Sequence, residues 1–472
     1  MIDEATTLSP WRALRRSDQL ARLLVLCAGV WLHAADALLV ATLMPDAARE
    51  LGGVAFMGWT IALYIVGSIV AGAAGGQLAL RFGVARAMAG AALVFAFGCL
   101  LSALAQEMGL MLLGRLVQGV GGGAMLALTF VGLEGLFPSR LMGPVMAVVS
   151  SVWGASAFCG PLVGGVFAHY GLWRWGFGAF ALQALVLALL TLWLLPRRAA
   201  EKQDVGPVPF GRLGLLGLAI VAVASAGNVT ATAAAAALLT AGLVLLALFF
   251  RLDRVARQSL LPPTAADPRT MSGAGILFVM CFAAATIPFT VYGPLLLQLR
   301  FGVSPLVGGY VVAVESLCWT LAAVTVAQAG PRAEPWVIRA GALIASAGVV
   351  GMVAVLPVGP LWAIVVATGA LGMGFGAFWA FVVKRVVDSV GENQKERASA
   401  ALPTTQLIGY AVGAAMAGLF ANAAGFADGE QASDAPAVGF WIYAGCLPVL
   451  LAGWLFLPRL TGRTVIESTS SN

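Results

Sequence analysis

Residues 21–45 read ARLLVLCAGVWLHAADALLVATLMP, an apolar run with a single carboxylate, Asp36, near its middle. Arg22 stands at its entrance and His33 one helical turn before Asp36. About 20 apolar residues at about 1.5 Å of rise each cross the hydrocarbon core of a bilayer, so this run is long enough to span one. Holding an ionisable group at that depth costs about 2.5–3.5 kcal/mol on insertion scales. An acid kept there against that cost points to a function.

The rest of the chain repeats the pattern. Of its 472 residues, 60% are hydrophobic and 10% charged, with a mean hydropathy of +0.94, more than a water-facing surface allows. Apolar runs bounded by charge, Pro and Gly fall at 21–45, 54–78, 83–105, 108–136, 142–168, 173–195, 212–228, 233–251, 271–296, 303–328, 336–356, 360–383, 399–424 and 437–457. They predict an all-α membrane protein of fourteen spans. Of the 27 Lys and Arg, only Arg49, Arg174 and Arg300 fall on one side of these spans and Arg115 inside one; the rest fall on the other side. The positive-inside rule then places the tails, 1–20 and 458–472, in the cytoplasm of a cell whose inner membrane holds the chain. The same asymmetry accounts for the net charge of +6 without a nucleic-acid partner. Arg12, Arg15 and Arg16 precede the first span with no small-residue cleavage site after it, which predicts a retained signal anchor.

Two polar segments, 196–211 and 252–270, flank the pair of runs at 212–228 and 233–251. The expected organisation is a six-helix bundle over 21–195, a linker over 196–270 carrying two extra spans, and a second six-helix bundle over 271–457. The halves echo each other: Gly76 to Gly83 follows the second run, and Gly330-Pro331-Arg332 occupies the corresponding loop later on. A six-two-six layout with a repeat is a transporter architecture.

Six motifs in order carry a family resemblance. Asp36 stands nine residues before Pro45, and Glu50-Leu51-Gly52 closes the turn that follows, with Trp59 and Tyr64 beyond it. The loop after the second run reads Gly76-Gln77-Leu78-Ala79-Leu80-Arg81-Phe82-Gly83. The fourth run carries Arg115-Leu116-Val117-Gln118-Gly119-Val120-Gly121. The fifth carries Gly160-Pro161-Leu162-Val163-Gly164-Gly165. Trp173-Arg174-Trp175 precedes the sixth, and the stretch from Gln298 to Gly308 follows the ninth. Over residues 20–460 the chain resembles the major facilitator superfamily, in particular its fourteen-helix drug:proton antiporter branch. The resemblance implies the major facilitator fold, two six-helix bundles plus two central extra helices. It also implies that Arg115 approaches Asp36, that Gly160, Pro161, Gly164 and Gly165 bend and pack the fifth helix for export, and that Gly76, Arg81 and Gly83 belong to an inter-domain lock. The chain departs from that lock at Leu80, where the family has Asp, which implies a weaker one. Leu38 and Ala41 depart from the family's Thr and Asn.

Burial in hydrocarbon disfavours a charged Asp36 and a nearby cation favours it, and an acid poised between the two can exchange a proton for a substrate. Arg115, with Gln118 and Gly119 in its motif, is the expected gate on that exchange or a donor to backbone carbonyls. Glu315 falls mid-span in the second half, where the branch more often has Pro. It is expected either as a second proton or cation site facing Asp36 or as a neutral buried acid. His33 shares a helix face with Asp36, which suits a relay or plain packing. Glu134 is expected to pair with Arg81 at the inner end of the first half. His169, in an outer loop, is given no role. The pairs Gly72/Gly76, Gly119/Gly123, Gly372/Gly376 and Gly409/Gly413 are expected to let helices approach closely. Trp31, Trp59, Tyr64, Trp153, Trp319, Phe378, Trp379 and Tyr410 suit either a cavity lining or the core.

Six cysteines (Cys27, Cys99, Cys159, Cys281, Cys318 and Cys446) lie in apolar runs without a C-x-x-C pair, as packing residues do. With two histidines in the chain and no D-x-x-D in a span, no metal site and no membrane enzyme is expected. No G-x-x-x-x-G-K-[ST] loop is present, so no nucleotide cofactor is expected and an ion gradient would drive transport. The expected function is proton-coupled export of lipophilic cationic or neutral small molecules by a monomer. The alternative is a dedicated metabolite or natural-product carrier on the same fold.

Overall fold

A backbone in lipid has no water to bond to, so it must satisfy itself within each span, and helices do this segment by segment. The computed structural model describes residues 17–52, 57–196, 208–227, 229, 231–303, 305–425 and 435–462, and among these there is no strand. The first half comprises α1 (Ser17–Glu50), α2 (Met57–Phe82), α3 (Val84–Ala103), α4 (Met108–Leu136), α5 (Met142–His169) and α6 (Trp173–Leu194). A hairpin follows, α7 (Phe210–Ala226) and α8 (Thr232–Arg254). The second half comprises α9 (Met271–Thr286), α10 (Pro288–Phe301), α11 (Pro305–Val326), α12 (Glu334–Val358), α13 (Leu361–Asp388), α14 (Lys395–Ala423), α15 (Ala435–Ala444), α16 (Leu447–Trp454) and the short α17 (Leu457–Thr461).

Among the described residues twelve helical stretches are long and apolar enough to cross a membrane, two fewer than the sequence predicts. The shortfall lies at α1, several of whose side chains are outside the described set, and at α7, which has 17 residues. The expected spans at 271–296 and 437–457 are each found as one stretch long and apolar enough to cross, Met271–Phe301 and Ala435–Trp454, with internal breaks, and one other expectation is corrected. The run at 271–296 is two helices, α9 and α10, reaching Phe301. Pro288 lacks an N–H and opens α10 where the helical ladder would otherwise continue. The run at 437–457 divides into α15, α16 and α17, the last two each with a proline in the first turn. His169 is the last residue of α5, not a loop residue.

Glycine sets the closeness of the helices. A Cβ at Gly119 of α4 would lie 2.1 Å from the Tyr64 carbonyl oxygen of α2, and one at Gly123 would lie 2.1 Å from that of Ser68. The same construction recurs in the second half. Gly372 and Gly376 of α13 would meet the carbonyl oxygens of Glu315 and Trp319 of α11 at 1.9 and 2.2 Å. Gly409 and Gly413 of α14 seat against the Met280 and Ala284 carbonyls of α9. Side chains cannot enter such gaps, so backbones touch, as the small-x-x-x-small spacing predicts.

The two halves meet along α2 with α14 and α5 with α11. The closest approaches cluster at the end of the bundle carrying Arg140, Lys384, Lys395 and Arg397, called here the basic end. Gly76 would place a Cβ 2.9 Å from the Arg397 Cα, and Gly143 one 1.9 Å from the Ala327 carbonyl oxygen. Phe130 of α4 sets its edge on Trp379 of α13 with ring centroids 6.2 Å apart. At the same end Gly83 turns the chain between α2 and α3 with φ 75°, a left-handed conformation that suits glycine.

Candidate functional site

The residues around Asp36 answer the question its burial raises. Asp36 is 0% exposed and Arg115 1%, and Arg115 Nη1 donates to Asp36 Oδ2 at 2.6 Å. Two charges taken out of water need good geometry and further hydrogen bonds to break even. Here they have both. Arg115 Nη1 also donates to Gln118 Oε1 at 3.0 Å, and its Nε donates to the Thr60 carbonyl at 3.2 Å. The guanidinium lies over the Tyr64 ring, 4.5 Å from the centroid, a favourable cation–π arrangement. Gln118 Nε2 reaches Asp36 Oδ1 at 3.4 Å and Cys99 Sγ at 3.0 Å, while Ser102 donates to Gln118 Oε1 at 3.2 Å. Four helices, α1 to α4, therefore build one network inside the first half.

Arg115 and Gln118 are three apart on α4 and so share a face. The pairing on α1 works the same way: His33, buried, lies one turn from Asp36 and places Nδ1 2.9 Å from the Tyr64 hydroxyl. Trp153 of α5 sets its ring edge against His33 at 6.0 Å. Tyr64 thus touches both the imidazole and the guanidinium. When Asp36 takes a proton, Arg115 still has Gln118, the Thr60 carbonyl and the Tyr64 face, so the network can lose one ion pair without stranding its cation.

The second half is built differently at the equivalent place. Glu315 seats its backbone on Gly372 as Tyr64 does on Gly119. Its carboxylate accepts from the Thr290 hydroxyl of α10 at 3.3 Å, and among the described residues no Lys or Arg makes an ion pair with it. Glu315 is partly exposed where Asp36 is sealed. Trp319, one turn further along α11, stacks on Phe375 with centroids 4.6 Å apart. Phe375, Phe378 and Trp379 are themselves buried, which makes this aromatic group mostly core. On α14, Gln406 Nε2 donates to the Tyr410 hydroxyl at 2.9 Å.

The structure brings Asp36, Arg115, Gln118 and, through Tyr64, His33 together. Glu315 makes its contacts within the other half. The expected Glu134–Arg81 pair is corrected. Glu134 lies 4.0 Å from Lys395 Nζ of α14, because the end of α4 faces the start of α14 across the two halves. Arg81 is exposed, over the ring of its neighbour Phe82. Gly160 and Gly164 are buried in α5, which is helical throughout; the side chain of Pro161 and the surroundings of Gly165 lie outside the described residues. Glu50, at the far end of α1, accepts from the Trp173 indole at 2.7 Å and from Arg174 at 2.5 Å.

Sequence reasoning missed Thr60, Cys99, Ser102 and Thr290. Nothing in a sequence marks a backbone carbonyl such as that of Thr60. Ser102 and Thr290 were legible only as polar residues within the apolar runs 83–105 and 271–296. Among the described residues no group of three or more His, Cys, Asp or Glu could hold a metal ion.

Comparison with known proteins places this site in a family. A model described as the Major Facilitator Superfamily matches residues 26–352. The chain is 31% identical over 438 residues, 90% of its own length and 92% of the other's, to a probable multidrug-efflux transporter of Mycobacterium tuberculosis. Its fold is similar to that of the human organic anion transporter MFSD10 (TETRAN), with TM-score 0.67 and 15% identity over 93% of this chain and 99% of that one. It is also similar to the proton:xylose symporter XylE, with TM-score 0.66 and 15% identity over 94% and 96%. The chain belongs to the Major Facilitator Superfamily and is a multi-pass membrane transporter, not an enzyme.

Proposed function

We propose that this protein is a proton-coupled exporter of lipophilic cationic or neutral small molecules, with Asp36 as the coupling acid and Arg115 as its gate. The observation that carries the reading is the sealed Asp36–Arg115 pair with Gln118 bridging both partners. An ionised Asp36 holds Arg115; a protonated one releases it, and the arginine falls back on Thr60, Gln118 and Tyr64. That gives two arrangements of one network that differ by a proton, which a transport cycle needs. His33 and Tyr64 are the neighbours through which a proton would arrive. Glu315, partly exposed and without a Lys or Arg paired to it among the described residues, is the group that meets the positive charge of a substrate. The name of the mycobacterial relative, a probable multidrug-efflux transporter, supports export of small molecules.

The proposed topology has fourteen spans with the basic end in the cytoplasm. Supporting it, α1 has 34 residues, about 51 Å at the helical rise, and α7 adds about 26 Å of apolar helix paired with α8. On this reading the domains are the six-helix bundle at 21–195, the linker with its two extra helices at 196–270 and the second bundle at 271–457, acting as a monomer.

The test is collapse of a pH gradient in inverted vesicles on adding lipophilic cations, for the wild type, Asp36→Asn and Glu315→Gln. Substrate-dependent proton release is expected in the wild type and absent in Asp36→Asn. Release surviving in Asp36→Asn but lost in Glu315→Gln would move the coupling acid to the second half. No response from the wild type to any cation or neutral compound would refute multidrug export and leave a dedicated carrier.

A further inference from the structure

The α7–α8 hairpin lies beside both halves, against α2 of the first and α14 of the second. We propose that it is mechanically part of the second half, and that the α2–α7 surface is the seam that slides when the halves move against each other.

The hairpin is one rigid unit. A Cβ at Gly242 of α8 would lie 3.0 Å from both the Ala219 carbonyl oxygen and the Val223 nitrogen of α7. The stripe Leu216, Ala219, Ile220, Val223 and Ala226 is 0% exposed, spaced as one helix face. Its upper end interlocks with α14 backbone to backbone. Gly418 would place a Cβ 2.6 Å from the Gly227 carbonyl oxygen, and Gly227 one 3.2 Å from the Ala415 Cα. Asn422 Nδ2 donates to the Val229 carbonyl at 3.0 Å.

At the basic end, Asp253 is a buried hub. It pairs with Arg212 and accepts from the backbone N–H groups of Leu260 and Leu261 at 2.9–3.0 Å. Arg212 Nη2 donates to the Gln258 carbonyl at 2.6 Å. The segment so held leads straight into α9, where Thr270 caps the helix by accepting from Gly273 N–H at 3.1 Å and Thr264 bonds Ser272 at 2.6 Å. The upper end of the hairpin is therefore fixed to α14, and its basic end to the segment that runs into α9, by contacts that have one register. Towards α2 the approach is of another kind. The nearest atom to a Cβ at Gly217 is the Val70 methyl Cγ2, at 3.4 Å, an ordinary van der Waals separation. Packed apolar side chains slide by small steps, whereas the hairpin can shift along the second half only if two backbone seats, the Asn422 bond and the Asp253 network all give way together.

The experiment moves the halves without substrate or proton. Gly143→Trp cannot be housed while the basic end is closed, because even a Cβ there would lie 1.9 Å from the Ala327 carbonyl oxygen. In the full chain in nanodiscs, with Cys159→Ala and Cys318→Ala, spin labels are placed at the exposed positions Leu218 (α7), Phe97 (α3) and Leu343 (α12). Pairwise distances are then read by double electron–electron resonance with and without Gly143→Trp. The Phe97–Leu343 and Phe97–Leu218 distances should both change by about 5 Å or more, as in a domain rearrangement, while Leu218–Leu343 stays fixed. Leu218 holding its distance to Phe97 while parting from Leu343 would overturn the proposal. So would no change in any pair, which would make the hairpin a strap across both halves. If Gly143→Trp does not fold, Gly76→Trp serves, since a Cβ there meets the Arg397 Cα at 2.9 Å. No transport is read, so the outcome is independent of which substrate or ion the protein carries.

Discussion

Removing the guanidinium alone should injure this protein more than removing it together with its acid. Arg115→Met leaves a carboxylate with 0% exposure and one long hydrogen bond, from Gln118 at 3.4 Å. Breaking a buried pair from one side costs about 3–5 kcal/mol, whereas replacing both partners with well-packed hydrophobic residues of similar volume is often neutral or stabilising by about 1–4 kcal/mol. The double variant Asp36→Leu/Arg115→Met should therefore lie close to the wild type. For domains of roughly this size 1 kcal/mol corresponds to about 2–4 °C, so the single variant should melt on the order of 10 °C lower. The assay is intrinsic tryptophan fluorescence on heating of the purified chain in one detergent, with all four corners of the cycle measured together. Additive losses, with the double variant as low as the two singles combined, would refute the claim that Asp36 and Arg115 form a sealed, mutually compensating pair. Both Arg115→Met variants should be inactive in proton exchange whatever their melting temperature.

Three further outcomes follow. Gly119→Ala and Gly372→Ala each drive a methyl onto a carbonyl oxygen, at 2.1 and 1.9 Å, and should lower the melting temperature by an amount matching about 1–3 kcal/mol of overpacking. Gly90→Ala, with nothing within 4 Å, should leave it unchanged or raise it. Glu315→Gln should reduce transport of cationic compounds at least tenfold more than that of neutral ones in a vesicle assay with both; equal loss would count against a charge-recognising role. Trp173 first, and Arg174 with it, hold the Glu50 carboxyl below its usual range. That tie therefore contributes fully above the ordinary glutamate value near 4.3 and is lost as pH falls through the depressed one. Glu50→Gln should accordingly lower the melting temperature at pH 6, with the difference from wild type shrinking below about pH 4.

Much of the site was legible in the sequence because its cues are local. An acid in an apolar run, a histidine three residues before it and glycines at four-residue spacing all declare which helix face they occupy. The structure finds His33 and Asp36 both buried on α1, and Gly119 and Gly123 both against α2. What failed depends on distance in space. Glu134 meets Lys395 because α4 and α14 abut end to end, and no spacing rule links residues so far apart. The breaks near Pro288, Pro448 and Pro458 were present as residues, yet a proline in an apolar run is compatible with a kink, a new helix or a first-turn position, and packing decides among them. The fold class was readable from composition because lipid admits so few solutions; the pairing of ends was not.

The glycine seats that join α2 to α4 and α11 to α13 fix more than distance. Two seats a turn apart index one helix against the other, as teeth index a gear, so neither can advance by a residue without losing both contacts at once. Tyr64 and Glu315 are thereby held at matching stations in the two halves, one presenting a phenol to His33 on α1 and the other a carboxylate to Thr290 on α10. The two halves share a common frame, and at this one station they carry unlike chemistry. Exchanging the two side chains, Tyr64→Glu with Glu315→Tyr, would carry the acid to the opposite half with the helix register left untouched.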